Sequence, residues 1–346
     1  MISILFFVFF LFSFIAFFSP KDVLNKYVLY TFVGFILIFI AGFRSEQGNP
    51  DYANYKEMYE DARTGDVIVE FSYVFISHIV QFIFDNILFV FLVYAIIGVS
   101  LKLTAIKQLT DLWFLSLIIY FSNFFILHEV IQIRVGVASG FLLLCIKPIY
   151  DRNLKRFLVL VLLAVFFHVS SLIILPLWFL GKFKNKINLF VVGIIIPISY
   201  CVYFMNVTIL NFIPIPYVQE KLDVYAQLQE LGTADFLTEI NVFNYVFLAR
   251  ILFFYFLLYK SELLMSHNKY TVLLLNIYAI SLFMYPALAM MPVLAGRISE
   301  LLGVVEIILL PLIYYTIRPR YISILIIVVW AFGILMVNIF KSQILG

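Results

Sequence analysis

The chain has 346 residues, of which 64% are hydrophobic and only 12% charged, roughly half the charge of a soluble domain. Apolar runs of about 17 residues or more, enough to cross a hydrocarbon core, recur along the whole length, so a soluble globular protein is excluded. The formal charge of +3 gives no case for nucleic-acid binding, because the basic residues sit in short segments between apolar runs.

Residues 1–18 are apolar but lack a basic leader and a small-residue cleavage site, so they read as a retained first helix. Further spans are expected at 27–43, 87–101, 111–127, 133–150, 188–205, 241–259, 270–291, 298–317 and 321–340. These make an all-α, polytopic membrane protein of about ten full transmembrane helices in a single domain, 1–346. The two cysteines, Cys145 and Cys201, fall inside apolar segments and suggest packing, not a disulfide framework or a metal site. Two segments stand apart. Residues 67–86 carry Glu70, His78, Gln81 and Asp85; residues 157–180 carry His168, Ser170, Ser171 and Pro176 in mid-run.

The positive-inside rule arbitrates between topologies. The Lys/Arg-rich stretches are Lys21/Lys26, Lys102/Lys107, Lys147–Arg156, Lys182/Lys184/Lys186, Lys260/Lys269 and Arg318/Arg320. All can share the cytoplasmic side only if neither unusual segment crosses fully. Residues 67–86 then lie along the outer face, and 157–180 form a re-entrant hairpin with His168 near its tip. Non-helical backbone at such depth requires a protein or water-lined surrounding. The outer side receives 44–66, 128–132, 206–240 and 292–297. Two ordinary crossings would instead put Lys102, Lys107 and the bases of 147–156 outside.

The outer segments hold the costly groups. Asn49, Pro50 and Asp51 read as a helix start. Tyr52, Tyr55, Tyr59 and Ala62 follow at the spacing of one helical face, either an aromatic-belt anchor or part of a site. In "FILHEVIQIRVGVASG", Gln132 and Arg134 precede Gly136, Ala138, Ser139 and Gly140, small residues suited to close helix packing. "FFHVSSLIILP" places His168 in an aliphatic segment, where an ionisable group marks either a satisfied core or a functional position. Arg297 follows a helix broken by Pro286 and Pro292, with Glu300 one turn on as its alternative salt-bridge partner. Arg250 and Glu306 fall at equal depth in parallel spans, as a buried pair or, for Arg250, as the lower wall of a phosphate pocket. Arginines suit phosphate oxygens through paired, charge-assisted bonds, and tyrosine rings suit sugar faces. No nucleotide-binding loop and no zinc motif is present.

Read in order, Arg44 with Gly48-x-x-Asp51-Tyr52-x-x-Tyr55, Glu70-x-x-Tyr73, Gln132-x-Arg134-x-Gly136, Phe167-His168-x-Ser170-Ser171-Leu172-Ile173 and Arg297 resemble the EpsG family of Wzy-type polysaccharide polymerases, which include O-antigen polymerases. The resemblance spans Arg44 to Arg297. It implies a GT-C-like, metal-independent glycosyltransferase without cofactor, in the bacterial inner membrane with its site toward the periplasm. Its substrates would be undecaprenyl-pyrophosphate-linked oligosaccharides, and its surroundings the lipid bilayer and a chain-length regulator. The growing glycan would pass to the non-reducing end of a lipid-linked repeat unit.

On that reading Arg134 and Arg297 hold the pyrophosphate, and Arg44 the second phosphate or the loop. Gln132, Tyr52 and Tyr55 contact substrate, and His168, Asp51 or Glu70 acts as the base. Residues 206–240 would serve as a lid. An O-antigen ligase shares this chemistry. A flippase should be polar through both halves, and a scaffold leaves the outer polar groups without a purpose.

Overall fold

The computed structural model describes residues 2–20, 22–46, 49–64, 70–183, 188–205 and 240–341; the expected lid at 206–240 lies outside these except for Ile240. The described chain is helical, and helices form at each expected span. Five of them are long and apolar enough to cross a membrane: α2 (Val23–Gly42), α5 (Ile87–Leu109), α6 (Trp113–Ile119, wound on as a π-helix over Tyr120–Ile131), α7 (Ile133–Asp151) and the last helix (Arg320–Met336, with a π-turn to Lys341). Shorter apolar helices are α1 (Ile2–Phe17), α8 (Leu154–Phe167), α9 (Leu189–Phe204), α10 (Tyr245–Tyr259) and, after the five-residue α11 (Ser261–Met265), α12 (Thr271–Ala287).

The span expected at 298–317 is not one helix. It divides into α13 (Pro292–Gly303) and α14 (Glu306–Leu309), which tightens into a 3₁₀ turn over Leu310–Tyr315. Pro311 lacks the amide hydrogen that an α-helix would need there. The last helix, from Arg320, is α15.

The basic residues gather at one end of the bundle. Lys26 donates to the Asp111 carbonyl at 3.1 Å, and Lys107 lies over the Tyr27 ring at 4.3 Å. Asn268 donates to the Leu109 carbonyl at 2.7 Å. Lys269 sits over Tyr150, His267 stacks on Tyr315 at 4.2 Å, and Arg320 covers Tyr314. This is the segregation that the charge pattern predicts, with one exception. Lys102 is not in a loop: α5 runs unbroken to Leu109, where Thr110 and Asp111 end it, and Lys102 is fully buried inside the bundle.

The two unusual segments form a short helix and an arm that folds back on the helix before it. Residues 71–83 form a short helix, α4 (Phe71–Ile83), about 20 Å long at 1.5 Å per residue. It packs between α5, α8 and α3 (Tyr52–Thr64). After α8 the backbone extends at His168 (φ −156, ψ 112). The chain then winds as a 3₁₀ helix over Val169–Phe183, with Pro176 inside it.

This return arm runs back along α8. Trp178 meets Phe157, ring centroids 5.2 Å apart, and its carbonyl accepts from Arg152 at 2.5 Å. A Cβ on Gly181 would lie 2.5 Å from the Ile149 carbonyl oxygen. The chain therefore leaves and re-enters the same end of the bundle, with His168 at the turn. Single cysteines at the exposed positions Lys155 and Lys182, with Cys145 and Cys201 replaced, should accordingly behave alike toward an impermeant thiol reagent. Both should resist it in intact spheroplasts and react after permeabilisation; reaction of only one would disprove the hairpin.

Candidate functional site

The amphipathic pattern of residues 52–62 folds as expected, but its aromatic face turns inward. Tyr52, Tyr55, Tyr59 and Ala62 are the buried residues of α3. Tyr52 packs on Phe91 at 5.1 Å and Tyr55 on Tyr73 at 5.6 Å, while the Tyr73 hydroxyl donates to the Tyr55 carbonyl at 2.6 Å. These rings pack within the protein, so α3 is fastened to α4 and α5. At its start Asn49 accepts from the Asp51 amide at 3.2 Å, which sets the direction in which Asp51 leaves the chain.

Arg44 and Asn49 act together at a helix end. The π-helix stops at Ile131, so its last carbonyls lack partners within it. The Val130 carbonyl accepts from Arg44 Nη1 at 2.5 Å and from Asn49 Nδ2 at 2.9 Å. Arg44 also donates through Nε to Ala41 and lies over the Phe91 ring at 4.4 Å. A cation at a helix C-terminus is favourably placed against the helix dipole. Burial lowers its pKa to about 10, and it remains charged at neutral pH. The structure thus gives Arg44 a place in the loop, away from open space.

Four other expected residues converge. Glu70 precedes α4, Arg134 lies in the first turn of α7, and His168 is the hairpin tip. One Glu70 carboxylate oxygen accepts from Arg134 Nη1, and the other meets His168 Nδ1 at 2.9 Å. A carboxylate facing Nδ1 favours the tautomer with the proton there, which leaves Nε2 as the acceptor. The three side chains are 15%, 21% and 10% exposed, so the cluster is largely buried. Arg134 also lies 5.7 Å from the Tyr55 ring centre.

Asp51 completes the group. Burial raises its carboxyl above the ordinary 3.8, while Arg297 and then Arg134 draw it back down. Both arginines are also within electrostatic range of His168. Arg297 itself is exposed on α13. Gln132 forms the bend between the π-helix and α7, and its side-chain oxygen is buried without a partner.

Beneath the cluster is a feature that sequence reasoning missed. Lys102 and Glu129 form an ion pair at 2.5 Å with side chains 0% and 1% exposed. Lys102 donates in addition to the Gly136 carbonyl at 2.7 Å, and Tyr120 donates to Glu129 at 3.0 Å. Gly98 and Gly136 leave room for it: a Cβ on Gly98 would fall 2.1 Å from the Glu129 carboxylate, and one on Gly136 would fall 2.3 Å from the His128 carbonyl. The available signal was the lack of any helix breaker between Leu101 and Thr110, which carries Lys102 along α5 into the bundle. Arg250 and Glu306 do meet, at 3.5 Å, as their equal depth predicts.

A membrane bundle that gathers two arginines, a carboxylate-bound histidine and an aspartate at the end opposite its basic loops has the makings of a membrane glycan-handling protein. The EpsG family model matches residues 27–345, so the chain belongs to the EpsG family, a family of Wzy-type polymerases. No curated protein and no solved structure matches it significantly.

The buried pair gives a direct test. Removing one partner of such a pair costs roughly 3–5 kcal/mol, whereas replacing both is close to neutral. Lys102→Met and Glu129→Gln should each lower the thermal midpoint of the purified protein, and the double variant should recover most of the loss. Additive losses would mean that the two side chains do not depend on one another.

Proposed function

We propose that this EpsG-family protein is a periplasm-facing glycosyltransferase. It moves a growing glycan from undecaprenyl pyrophosphate onto the non-reducing-end sugar of a lipid-linked repeat unit. The observation that carries this reading is the Glu70 carboxylate held between Arg134 and His168. It unites a cation suited to a leaving phosphate with a base whose free nitrogen points away from its partner.

In the reaction an acceptor hydroxyl attacks the anomeric carbon of the donor. The new glycosidic C–O bond forms as the bond from that carbon to the pyrophosphate oxygen breaks, with inversion. The hydroxyl proton passes to His168 Nε2. Glu70 keeps Nδ1 protonated and stabilises the imidazolium that results, the role a third group plays behind an activated base. Asp51 is the second candidate acceptor, and its raised pKa brings it closer to a useful base strength. Glu70 is the least suited of the three, because both of its oxygens are engaged.

The charge that develops on the leaving pyrophosphate falls to fixed cations. Arg134 spends one Nη1 donor on Glu70 and bonds the Tyr55 hydroxyl as well, which leaves part of its five-donor fork for a phosphate. Arg297, exposed on α13, adds a second positive charge acting on Asp51 and His168. Arg44 keeps the loop that carries Asp51 in register. Gln132, Tyr52 and Tyr55 support this wall: the tyrosines by packing, and Gln132 by the bend that presents Arg134. A GT-C-like arrangement, chemistry without a metal, and a chain-length regulator as neighbour fit the same reading.

Deletion of the gene followed by glycan profiling tests the activity as a whole. Loss of long chains with a single repeat unit still transferred marks a polymerase; loss of all transfer marks a ligase or a flippase. At residue level, lysine keeps the charge of arginine but not its planar fork. Arg134→Lys and Arg297→Lys should therefore leave protein levels intact and reduce polymer severely, by roughly the hundredfold or more that loss of one oriented donor costs. His168→Ala should do the same. Asp51→Asn with near-normal chains would leave His168 as the base, whereas an active His168→Ala beside an inactive Asp51→Asn would reverse the assignment. Normal polymer from all four variants would refute the mechanism.

A further inference from the structure

A cavity of about 360 Å³ is bounded by the π-helix, α10, α12, α13 and α15. Its size falls in the ~300–1,000 Å³ range of small-molecule sites, yet its lining is unlike an apolar void. Arg250, Glu300 and Glu306 line it with Tyr278, Asn123 and Asn244. Two of these groups lack partners although they are buried. The Tyr278 hydroxyl, in a residue 1% exposed, makes no hydrogen bond, and neither does Arg250 Nε. The 3.5 Å approach of Arg250 to Glu306 is an ion pair too long to satisfy that donor. Leaving a buried hydroxyl unpaired costs free energy, so an occupant that supplies partners is favoured.

The lining also selects the occupant. One guanidinium and two carboxylates leave no net positive charge for a phosphate. Arg250 at the Glu306 carboxylate disfavours a cation. Carboxylate, amide and guanidinium groups together offer donors and acceptors to adjacent hydroxyls, and the rings of Phe124 and Phe247 also line the cavity. Such a mixture matches a neutral, polyhydroxylated ring.

The cavity is tied to the cluster by α13, which carries Arg297 and, on the following turns, Ser299, Glu300 and Gly303 of the lining. We propose that this cavity is a sugar-ring subsite, in which Tyr278 and the Arg250–Glu306 pair bind hydroxyls of the glycan whose transfer occurs at the Glu70–Arg134–His168 cluster. This rests on the proposed glycosyltransferase reading.

The test uses the full-length protein in a sugar-free detergent, with Cys145 and Cys201 replaced and a single cysteine at Ser299. A small thiol reagent should label Ser299→Cys. The repeat-unit oligosaccharide, released by mild acid from the lipid-linked pool of the cells that carry the gene, should slow labelling about tenfold at ten times its dissociation constant, as mass action requires. Inorganic pyrophosphate should not. Tyr278→Phe, which removes only the hydroxyl, should raise the half-protecting oligosaccharide concentration roughly three- to tenfold, the worth of one hydrogen bond. Lack of labelling, lack of protection by the oligosaccharide, protection by pyrophosphate alone, or an unchanged Tyr278→Phe would each overturn the subsite. Unchanged polymer in the gene deletion, with protection intact, would instead refute the glycosyltransferase reading and leave a glycan-binding cavity.

Discussion

The Glu70 carboxylate is the joint on which the polar end of the bundle depends. It stands before a helix too short to cross a membrane and accepts from two elements that are distant in sequence, Arg134 of α7 and His168 at the hairpin tip. Each bond constrains something different. The bond to Arg134 fixes the first turn of α7. The bond to His168 anchors the extended backbone between α8 and the 3₁₀ arm. Removing Glu70 would leave the partly buried Arg134 without its paired carboxylate and the hairpin tip without its anchor. The same carboxylate decides which imidazole nitrogen carries a proton. Position and chemistry therefore share one residue, and neither can be altered alone.

The Lys102–Glu129 pair supports this joint from below. A buried ion pair is weak evidence for stability, since apolar residues of equal volume often do as well or better. Its value here is geometric. Lys102 reaches both Glu129 of the π-helix and the carbonyl of Gly136, two residues beyond Arg134. The pair thus fixes where the π-helix ends and α7 begins. At that junction Val130 receives Arg44 and Asn49, which bring in the chain leading to Asp51. Gly98 and Gly136 supply the space for the carboxylate and for the neighbouring backbone. Rare π-helical winding often accompanies functional sites, and in this chain it lies next to the proposed one.

Much of this arrangement was legible in the sequence, because a bilayer leaves few solutions. Charge placement alone separated the basic end from the polar cluster. It also favoured a hairpin over two ordinary crossings for residues 157–180, and the contact of Trp178 with Phe157 shows the chain folding back on itself there. The period of Tyr52, Tyr55 and Tyr59 gave the correct buried face of α3, but not what covers it. Periodicity reports a face, while the partner is set by tertiary packing, here Tyr73 and Phe91. Lys102 was misplaced because a lysine among apolar residues reads as a span end, whereas its partner Glu129 is 27 residues away in sequence. Arg44 was recognised as costly, yet its destination, an orphan carbonyl at a helix end, depends on where the π-helix stops. No local pattern records that point.

Helix α13 joins two environments of opposite character. Arg297, with Arg134, contributes positive charge around Asp51 and His168. Its next turns line a cavity whose carboxylates outnumber its single arginine. A lipid-linked glycan is itself divided in this way, with an anionic pyrophosphate at one end and neutral rings beyond. On the proposed reading the phosphate is drawn to the arginines and repelled by Glu300 and Glu306, while a ring gains hydrogen bonds in the cavity that it could not make at the guanidinium pair. Electrostatic complementarity of this kind governs orientation more than affinity. It would fix which end of the substrate enters first, and the break in α13 after Gly303 permits one short helix to serve both walls.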